Sequence, residues 1–324
     1  MNTNIYDVII VGGGPGGLQA ALQLGRYKWR TLIVDRGKGR ASFVPQYMNI
    51  LGFPSGVSGQ ALLKAGRAQA KEYGVEFLTK VVTNAVKDSD GLFNVTLQDK
   101  GDYKAGNSTN IVQYRCRKLI LNTGVMDRHP DVKDVFRWAG KAIYYCPDCD
   151  GYEVSNKKVV VVGIGNGAAE LALALLNWTR EIKVVNVEPE RKISEERLEK
   201  LAHFGIEVYS DKLKEFIGET KDRIDKLILQ NGTELSCEKV FSALGKFSIN
   251  SELAEGLGVE TSQSGNIIVD PRTKETNVSG CWAVGDVVAA HSQQVTIAIA
   301  DGVQAAIWVN KQLKQEGFLP AITS

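Results

Sequence analysis

The chain has 324 residues, which is too long for one compact core and suits two domains. Its 44% hydrophobic and 23% charged residues are typical of a globular protein, and no apolar run approaches the roughly 20 residues that span a bilayer. A net charge of +2 and the lack of a signal-peptide pattern predict a cytoplasmic protein with no membrane or nucleic-acid partner, although mild basicity is compatible with docking a small acidic protein.

The first predicted strand, Tyr6–Val11, leads through a glycine-rich turn into a helix-like segment, Leu18–Arg26. The turn fits G-x-G-x-x-G, whose glycines let the backbone approach a pyrophosphate at the helix N-terminus. A second strand, Thr31–Val34, ends in an acid that can accept a hydrogen bond from a ribose hydroxyl. Together these elements predict a dinucleotide site. The residues of this site are Gly12, Gly14, Pro15, Gly17 and Asp35.

Of the five cysteines, only Cys146 and Cys149 are close in sequence, with C-x-x-C spacing. Such a pair can close a small disulfide ring, and a helix that starts there favours the thiolate, the attacking species in disulfide exchange. Asp150 is a candidate proton donor or acceptor for a thiol, or alternatively a helix cap. The pair could also be inert, or half of a zinc site, although the three histidines do not form a second pair of ligands.

The strand–turn–helix pattern recurs downstream, with a strand at Lys157–Val162, a helix at Ala169–Asn177 and a further strand at Ile182–Val187. The turn fits G-x-G-x-x-A and the last strand is followed by an acid. This pattern predicts a second dinucleotide site, or alternatively a turn kept only for packing. The residues of this second site are Gly163, Gly165, Asn166, Ala168 and Glu188.

Near the end of the chain, a buried-looking strand runs into Gly285 and Asp286, and a long helix-like stretch follows at Val295–Leu313. An aspartate at such a strand end can bind a polar flavin or ribitol group. It could equally cap a helix.

The order of these parts resembles the low-molecular-weight thioredoxin reductase family, and C-x-x-C-D-G before the second glycine loop is its most specific feature. The resemblance implies an α/β fold with two Rossmann-like dinucleotide-binding domains, the second inserted in the first. The FAD domain would comprise residues 1–125 and 247–324, and the insert residues 126–246. By resemblance, Thr123 and Gly124 belong to the FAD site, and Gln294 contacts the isoalloxazine edge.

The resemblance further implies a homodimeric FAD-dependent thiol–disulfide oxidoreductase, whose electrons pass through FAD to the Cys146–Cys149 disulfide and on to a protein disulfide such as that of thioredoxin. Cys149 would face the flavin, Cys146 would attack the substrate, and Asp150 would act as the acid–base group.

One departure concerns the electron donor. NADPH-using members of the family carry an arginine cluster after the second strand of the insert, and here that stretch, 186–192, has Glu188, which would repel a 2′-phosphate. NADPH is therefore a doubtful donor. The chain resembles the NADPH-independent branch, with ferredoxin or NADH as donor, or a second FAD at the second nucleotide site.

Two other functions remain open. Some related flavoproteins oxidise a small-molecule dithiol and pass electrons to oxygen, but their pair is typically followed by histidine, where this chain has Asp150. A nucleotide-binding redox sensor without catalysis is the third hypothesis.

Overall fold

The structure, a computed structural model, divides the chain into two compact units. The first unit contains the chain up to Val44, Ile50–Met126 and the chain from Ile249 onward. The second contains Pro45–Asn49 and Asp127–Ser248. The domain limits inferred from the sequence stay a prediction. The residues that the structure describes are 5–107, 109–245, 248–289 and 292–320.

The strands, in chain order, are β1 (Ile5–Val11), β2 (Thr31–Val34), β3 (Glu76–Leu78), β4 (Val81–Lys87), β5 (Phe93–Gln98), β6 (Val112–Leu121), β7 (Val125–Met126), β8 (Ile143–Tyr144), β9 (Val159–Gly163), β10 (Ile182–Asn186), β11 (Glu207–Ser210), β12 (Leu213–Ile217), β13 (Lys226–Leu229), β14 (Glu234–Ser236), β15 (Lys239–Ala243), β16 (Ser248–Ile249) and β17 (Cys281–Ala283). The α-helices are α1 (Pro15–Arg26), α2 (Gly59–Glu72), α3 (Lys100–Lys104), α4 (Pro147–Asp150), α5 (Gly165–Ala174), α6 (Glu195–His203), α7 (Glu252–Gly256) and α8 (Val295–Gln315). Short 3₁₀ helices occur at Arg40–Phe43, Val135–Arg137, Gly151–Val154, Leu175–Asn177 and Gly285–Val287.

The first unit is built on a seven-stranded sheet in the order β3-β2-β1-β6-β5-β4, with β17 also paired to β6. β1 pairs in parallel with β2 and β6, while β4 and β5 extend the sheet in antiparallel fashion. All four residues of β2 are buried, as expected for a parallel strand covered on both faces. Helices α1 and α8 supply one cover, because Leu24 of α1 and Val309 of α8 share an apolar cluster with Ile10 of β1.

The second unit contains a five-stranded parallel sheet in the order β11-β10-β9-β15-β8 and a separate antiparallel sheet, β12-β13-β14. Every residue of β9 is buried. Helix α5 packs on this sheet through small side chains, among them Ala168, Ala169 and Ala172. β7 and β16 pair with each other as a two-stranded sheet.

The predicted α/β class with two Rossmann-like units is confirmed, since β1-α1-β2 and β9-α5-β10 each join parallel strands through a helix. Local limits differ from those predicted. Helix α1 begins at Pro15 instead of Leu18, because proline suits the first helical turn. Helix α8 continues to Gln315, two residues past the predicted end. Within the part of the chain that the structure describes, no helix is both long and apolar enough to cross a membrane.

Candidate active site

The first glycine loop joins β1 to α1 in the arrangement that the motif predicts. Gly14 is the N-cap of α1 and Pro15 opens the helix. A methyl group at Gly17 would overlap the carbonyl oxygen of Gly12, so the close packing of helix against strand requires glycine there. Gly12 itself has φ +108°, in the region that favours glycine.

Asn122 holds this loop, and the sequence interpretation did not assign it a role. Its side-chain amide donates to the Gly12 carbonyl over 3.0 Å, and its backbone N–H donates to Val11 over 2.8 Å. The neighbouring Thr123 hydroxyl is buried and has no hydrogen-bond partner among the described residues, which leaves a donor and an acceptor for a ligand. The signal available in the sequence was the polar residue pair that directly follows an apolar strand.

Asp35 directly follows β2, beside the first loop. One of its oxygens lies 2.5 Å from a guanidinium nitrogen of Arg67 on α2, and the other accepts the Gly37 backbone N–H over 3.0 Å. The carboxylate is thereby oriented at the strand end, where an adenosine ribose is bound in this kind of fold.

The strand end at Gly285 is positioned by a buried acid that the sequence analysis overlooked. Asp301 of α8 is 3% exposed, accepts the Gly285 backbone N–H over 3.1 Å and pairs with the Lys274 ammonium at 2.8 Å. An aspartate directly after the apolar run Ile297–Ala300 was the available signal. Asp301 ties the start of the 3₁₀ helix at Gly285 to α8.

Asp286 lies within the 3₁₀ helix Gly285–Val287, and Gln294 lies directly before α8. Asp286 forms an ion pair with Arg40 at 3.1 Å, and the same guanidinium donates to Gln293 over 2.8 Å. Gln294 is the N-cap residue of α8, directly before the helix as predicted.

Cys146 and Cys149 form a disulfide, with their Cα atoms 5.3 Å apart. Cys146 is the N-cap of α4, and the Cys149 backbone N–H donates to the Cys146 sulfur over 3.2 Å. Such a donor stabilises negative charge on Cys146 more than on Cys149. Helix α4 is only four residues long, so the contribution of its dipole is smaller than a long helix would give.

Asp150 ends α4, and Gly151 begins the following 3₁₀ helix. A methyl group at Gly151 would lie 2.5 Å from the Trp178 ring, so the indole packs directly against the backbone after the redox pair. Burial raises the pKa of Tyr144, and the nearby Asp150 carboxylate adds to that rise. The Asp150 carboxylate therefore lies close enough to Tyr144, at the end of β8, to affect its ionisation.

The three remaining cysteines, Cys116, Cys237 and Cys281, are buried and free. Burial raises the pKa of Cys237 and of Cys281 to about 12, and it raises the pKa of Cys116 further. Because the thiolate is the reactive form, these side chains are unreactive at neutral pH.

A partly buried histidine–tyrosine pair precedes the disulfide in the second unit. His129 Nδ1 lies 2.5 Å from the hydroxyl oxygen of Tyr145, and the His129 ring meets Phe136 edge-on. Burial lowers the pKa of His129, so the imidazole is neutral near pH 7.

The second glycine loop is held by Asn186, at the end of β10. Its side-chain oxygen accepts the Gly165 backbone N–H over 3.0 Å, while its amide donates to the Arg191 carbonyl over 2.9 Å. Asn166 is also engaged, because its side-chain oxygen accepts the Ser194 N–H over 2.8 Å. The motif residues Gly163, Gly165, Asn166 and Ala168 thus come together around the start of α5, with Asn186 as a residue that the pattern did not reveal.

Glu188 follows β10 and forms two ion pairs. Arg128 lies 3.5 Å from one carboxylate oxygen and Arg191 lies 3.4 Å from the other. Arg191 is three residues from Glu188 in sequence, whereas Arg128 is brought in from 60 residues away.

The residues of the first unit fit FAD. Glycines in the loop let the backbone at the start of α1 approach a pyrophosphate. The buried Thr123 hydroxyl, which has no partner among the described residues, can hydrogen-bond the cofactor. Asp35 offers a carboxylate for a ribose hydroxyl.

The chain is similar to known proteins over most of its length. Residues 6–302 match the model of the family described as pyridine nucleotide-disulphide oxidoreductase. The thioredoxin reductase of Treponema pallidum is 30% identical, over 93% of this chain and 95% of the relative. A 34.2 kDa protein in the rubredoxin operon of Clostridium pasteurianum is 30% identical, over 95% and 97%. The crystal structure of HlmI superimposes with a TM-score of 0.86 at 29% identity, over 98% of this chain and 95% of HlmI.

Family, fold and the disulfide next to a Rossmann unit point to one class of enzyme. The chain belongs to the pyridine nucleotide-disulphide oxidoreductase family and is a disulfide oxidoreductase of the thioredoxin reductase type.

Proposed function

We propose that this enzyme reduces the disulfide of a thioredoxin-like protein through Cys146 and Cys149, as a homodimer that takes electrons from ferredoxin or NADH and not from NADPH. The observation that carries the proposal is the Cys146–Cys149 disulfide at the start of α4, with a backbone N–H directed at the Cys146 sulfur. The relatedness to the thioredoxin reductase of Treponema pallidum supports the substrate class.

FAD is the cofactor that we propose for the first unit. The loop residues Gly12, Gly14, Pro15 and Gly17 and the start of α1 would hold its pyrophosphate, while Asp35 would bind its adenosine ribose. Thr123, Gly124, Gly285, Asp286 and Gln294 would complete the proposed site, and they follow β6 or β17 or directly precede α8. Bound there, FAD supplies a carrier that accepts two electrons and releases them again.

The chemistry of the reduced cysteine pair is thiol–disulfide exchange. The Cys146 thiolate attacks one sulfur of the substrate disulfide, which forms a mixed disulfide and releases one substrate thiolate. The Cys149 thiolate then attacks the Cys146 sulfur, which restores the Cys146–Cys149 bond and releases the second substrate thiolate. Two electrons leave the pair and two reach the substrate. The Cys149 N–H, 3.2 Å from the Cys146 sulfur, supports Cys146 as the attacking residue.

We assign Asp150 to proton transfer with the thiols and with the departing substrate thiolate. Its place at the end of the helix that carries both cysteines supports this role. Asp150 is also the N-cap residue of the following 3₁₀ helix, without a side-chain capping hydrogen bond to it.

The donor assignment rests on Glu188. A carboxylate at this strand end suits a ribose hydroxyl, as in NADH or a second FAD, and opposes the 2′-phosphate of NADPH. Without two charge-assisted hydrogen bonds from arginine to the 2′-phosphate, worth about 1.5–3 kcal/mol each, NADPH would bind more weakly by roughly two to four orders of magnitude.

Anaerobic stopped-flow mixing of the purified protein with NADPH, NADH or reduced ferredoxin tests the donor, followed by thioredoxin to test the substrate. We expect rapid flavin bleaching with ferredoxin or NADH, slow bleaching with NADPH, and re-oxidation by thioredoxin disulfide.

Other results would contradict the proposal. Rapid bleaching by micromolar NADPH would overturn the donor assignment. Re-oxidation by oxygen but not by thioredoxin disulfide, together with oxidation of a small dithiol, would favour an oxidase. Sedimentation as a monomer at micromolar concentration would overturn the homodimer.

A further inference from the structure

The ion pairs of Glu188 form a compact cluster with two cations on one anion. Arg128 Nη2 approaches Oε1 at 3.5 Å and Arg191 Nε approaches Oε2 at 3.4 Å. Glu188 is 27% exposed as a side chain, whereas Arg128 is 56% and Arg191 is 70% exposed. The cluster carries a net charge of +1, and its centre is the acid, not a cation.

This cluster lies beside the second glycine loop. Asn186 links the two directly, since it accepts from the Gly165 N–H and donates to the Arg191 carbonyl. A methyl group at Gly165 would lie 3.3 Å from that same carbonyl oxygen. In a β-α-β unit of this kind, the residue at the end of the second strand meets the adenosine ribose, and arginines there accommodate a 2′-phosphate. Arg128 and Arg191 are therefore at the place where a 2′-phosphate would be read.

We propose that Glu188 masks a phosphate-binding pair formed by Arg128 and Arg191, so that the enzyme rejects 2′-phosphorylated nucleotides because its arginines are occupied and not because they are absent. The inference rests on the proposed function, whose donor assignment it explains. Each carboxylate oxygen takes one guanidinium, as two oxygens of a phosphate would. The carboxylate is a tethered competitor for the phosphate, so removing its charge exposes the pair.

Masking of the arginines and simple repulsion by Glu188 predict different results for the Glu188→Gln variant. If the site merely lacked cations, Glu188→Gln would abolish rejection without creating affinity. If the arginines are masked, Glu188→Gln creates a preference for the 2′-phosphate, and that preference depends on Arg128. Arg128 would then determine nucleotide specificity, although it lies 60 residues from Glu188 in the sequence.

Isothermal titration calorimetry on the FAD-containing protein, with adenosine 2′,5′-bisphosphate and adenosine 5′-monophosphate as probes, tests this without turnover. In the wild-type protein the bisphosphate should bind no tighter than the monophosphate. In Glu188→Gln it should bind at least about 10-fold tighter, a modest gain because the arginines are exposed. The double variant Glu188→Gln with Arg128→Ala should lose most of that gain. Glu190→Gln, two residues away from Glu188 and equal in charge change, is the matched control and should behave as wild type.

Two results would overturn the masked-pair proposal: a Glu188→Gln variant that binds the monophosphate without preferring the bisphosphate, or failure of every variant to bind either nucleotide. Flavin absorbance and the thermal unfolding midpoint verify that each variant is folded. Because binding is read directly, these failures are distinct from failure of the proposed function, which would show as the absence of thioredoxin reduction with ferredoxin or NADH.

Discussion

The first and second glycine loops share a strand–turn–helix framework, yet they differ in what surrounds them. In the first, Gly17 packs so closely that a methyl group would overlap the Gly12 carbonyl, and a buried Thr123 hydroxyl lacks a partner among the described residues. In the second, the equivalent motif position is already Ala168. There, the side chain of Asn186 takes up the Gly165 N–H at the start of the helix. Near the first loop, the Thr123 hydroxyl is therefore left to bond a ligand. In the second loop, the Gly165 N–H at the helix start is already hydrogen-bonded to the Asn186 side chain.

The largest expected effect is a loss of activity without a loss of flavin, which would show that the cysteine pair and the proposed FAD site have separate roles. Cys149→Ser should reduce disulfide turnover to background, because the mixed disulfide cannot be resolved and the pair cannot accept electrons. Flavin content should stay at the wild-type level. Turnover with thioredoxin and absorbance at 450 nm measure the two properties. Cys237→Ala is the control, since this thiol is buried and its pKa is raised to about 12. Loss of flavin together with activity in Cys149→Ser would show that the roles are not separate.

The next effect tests the difference at the third motif position. Gly17→Ala should strongly impair FAD retention, because the new methyl group forces α1 away from β1. The matched change in the second loop, Ala168→Gly, should leave flavin bound and cost roughly 0.5–1 kcal/mol of stability. The ratio of flavin to protein absorbance, together with urea unfolding, distinguishes them. Equal flavin loss in both variants would contradict an assignment of FAD to the first loop.

Two asparagines provide a finer test of the loops. Asn122→Ala removes the donor to the Gly12 carbonyl, and Asn186→Ala removes a donor and an acceptor at the second loop. Each should lower the free energy of unfolding by about 1–3 kcal/mol, because buried partners are left unsatisfied. Only Asn122→Ala should also weaken FAD binding. A flavin affinity that falls equally in both variants would remove the distinction between the loops.

The smallest effect is confined to the second unit and depends on pH. Burial lowers the pKa of His129 below its ordinary value of 6.5, so the unfolded chain binds more protons than the folded chain in acid. Stability should therefore decrease as the pH falls through about 6.5, and the penalty should be absent well above that pH. Urea unfolding at pH 5 and pH 7.5 measures it. His129→Gln should reduce the pH difference. His203→Gln, at an exposed position, should not.

Much of the framework follows from local pattern. Apolar strands, the glycine turns and the acids Asp35 and Glu188 are local signals, and the structure places them at β1-α1-β2 and β9-α5-β10 as expected. The C-x-x-C spacing of Cys146 and Cys149 allowed a disulfide, which the structure contains, but spacing alone left an inert pair and half of a zinc site open. Helix limits were less accurate, because the start of α1 depends on Pro15 and its fit to the first turn.

The residues that hold these motifs were not predictable in the same way. Asn122 reaches Gly12 across 110 positions of sequence, and Arg128 reaches Glu188 across 60. Asp301 meets Gly285 because α8 packs against Trp282 of β17 and Val284 after it, in one apolar cluster. A linear pattern carries no information about which side chain approaches from a distant strand or helix. Identifying these partners requires the three-dimensional structure.

The distribution of the five sulfurs has a practical consequence for handling the protein. Three thiols are sealed inside the two cores, while the remaining two are joined in a bond at a partly exposed helix start. A maleimide reagent applied to the native protein should therefore add nothing to the oxidised form and up to two labels to the reduced form. Intact mass spectrometry of the natively labelled protein would then measure the fractions of oxidised and reduced protein, with no engineered tag and no labelling of the three buried cysteines.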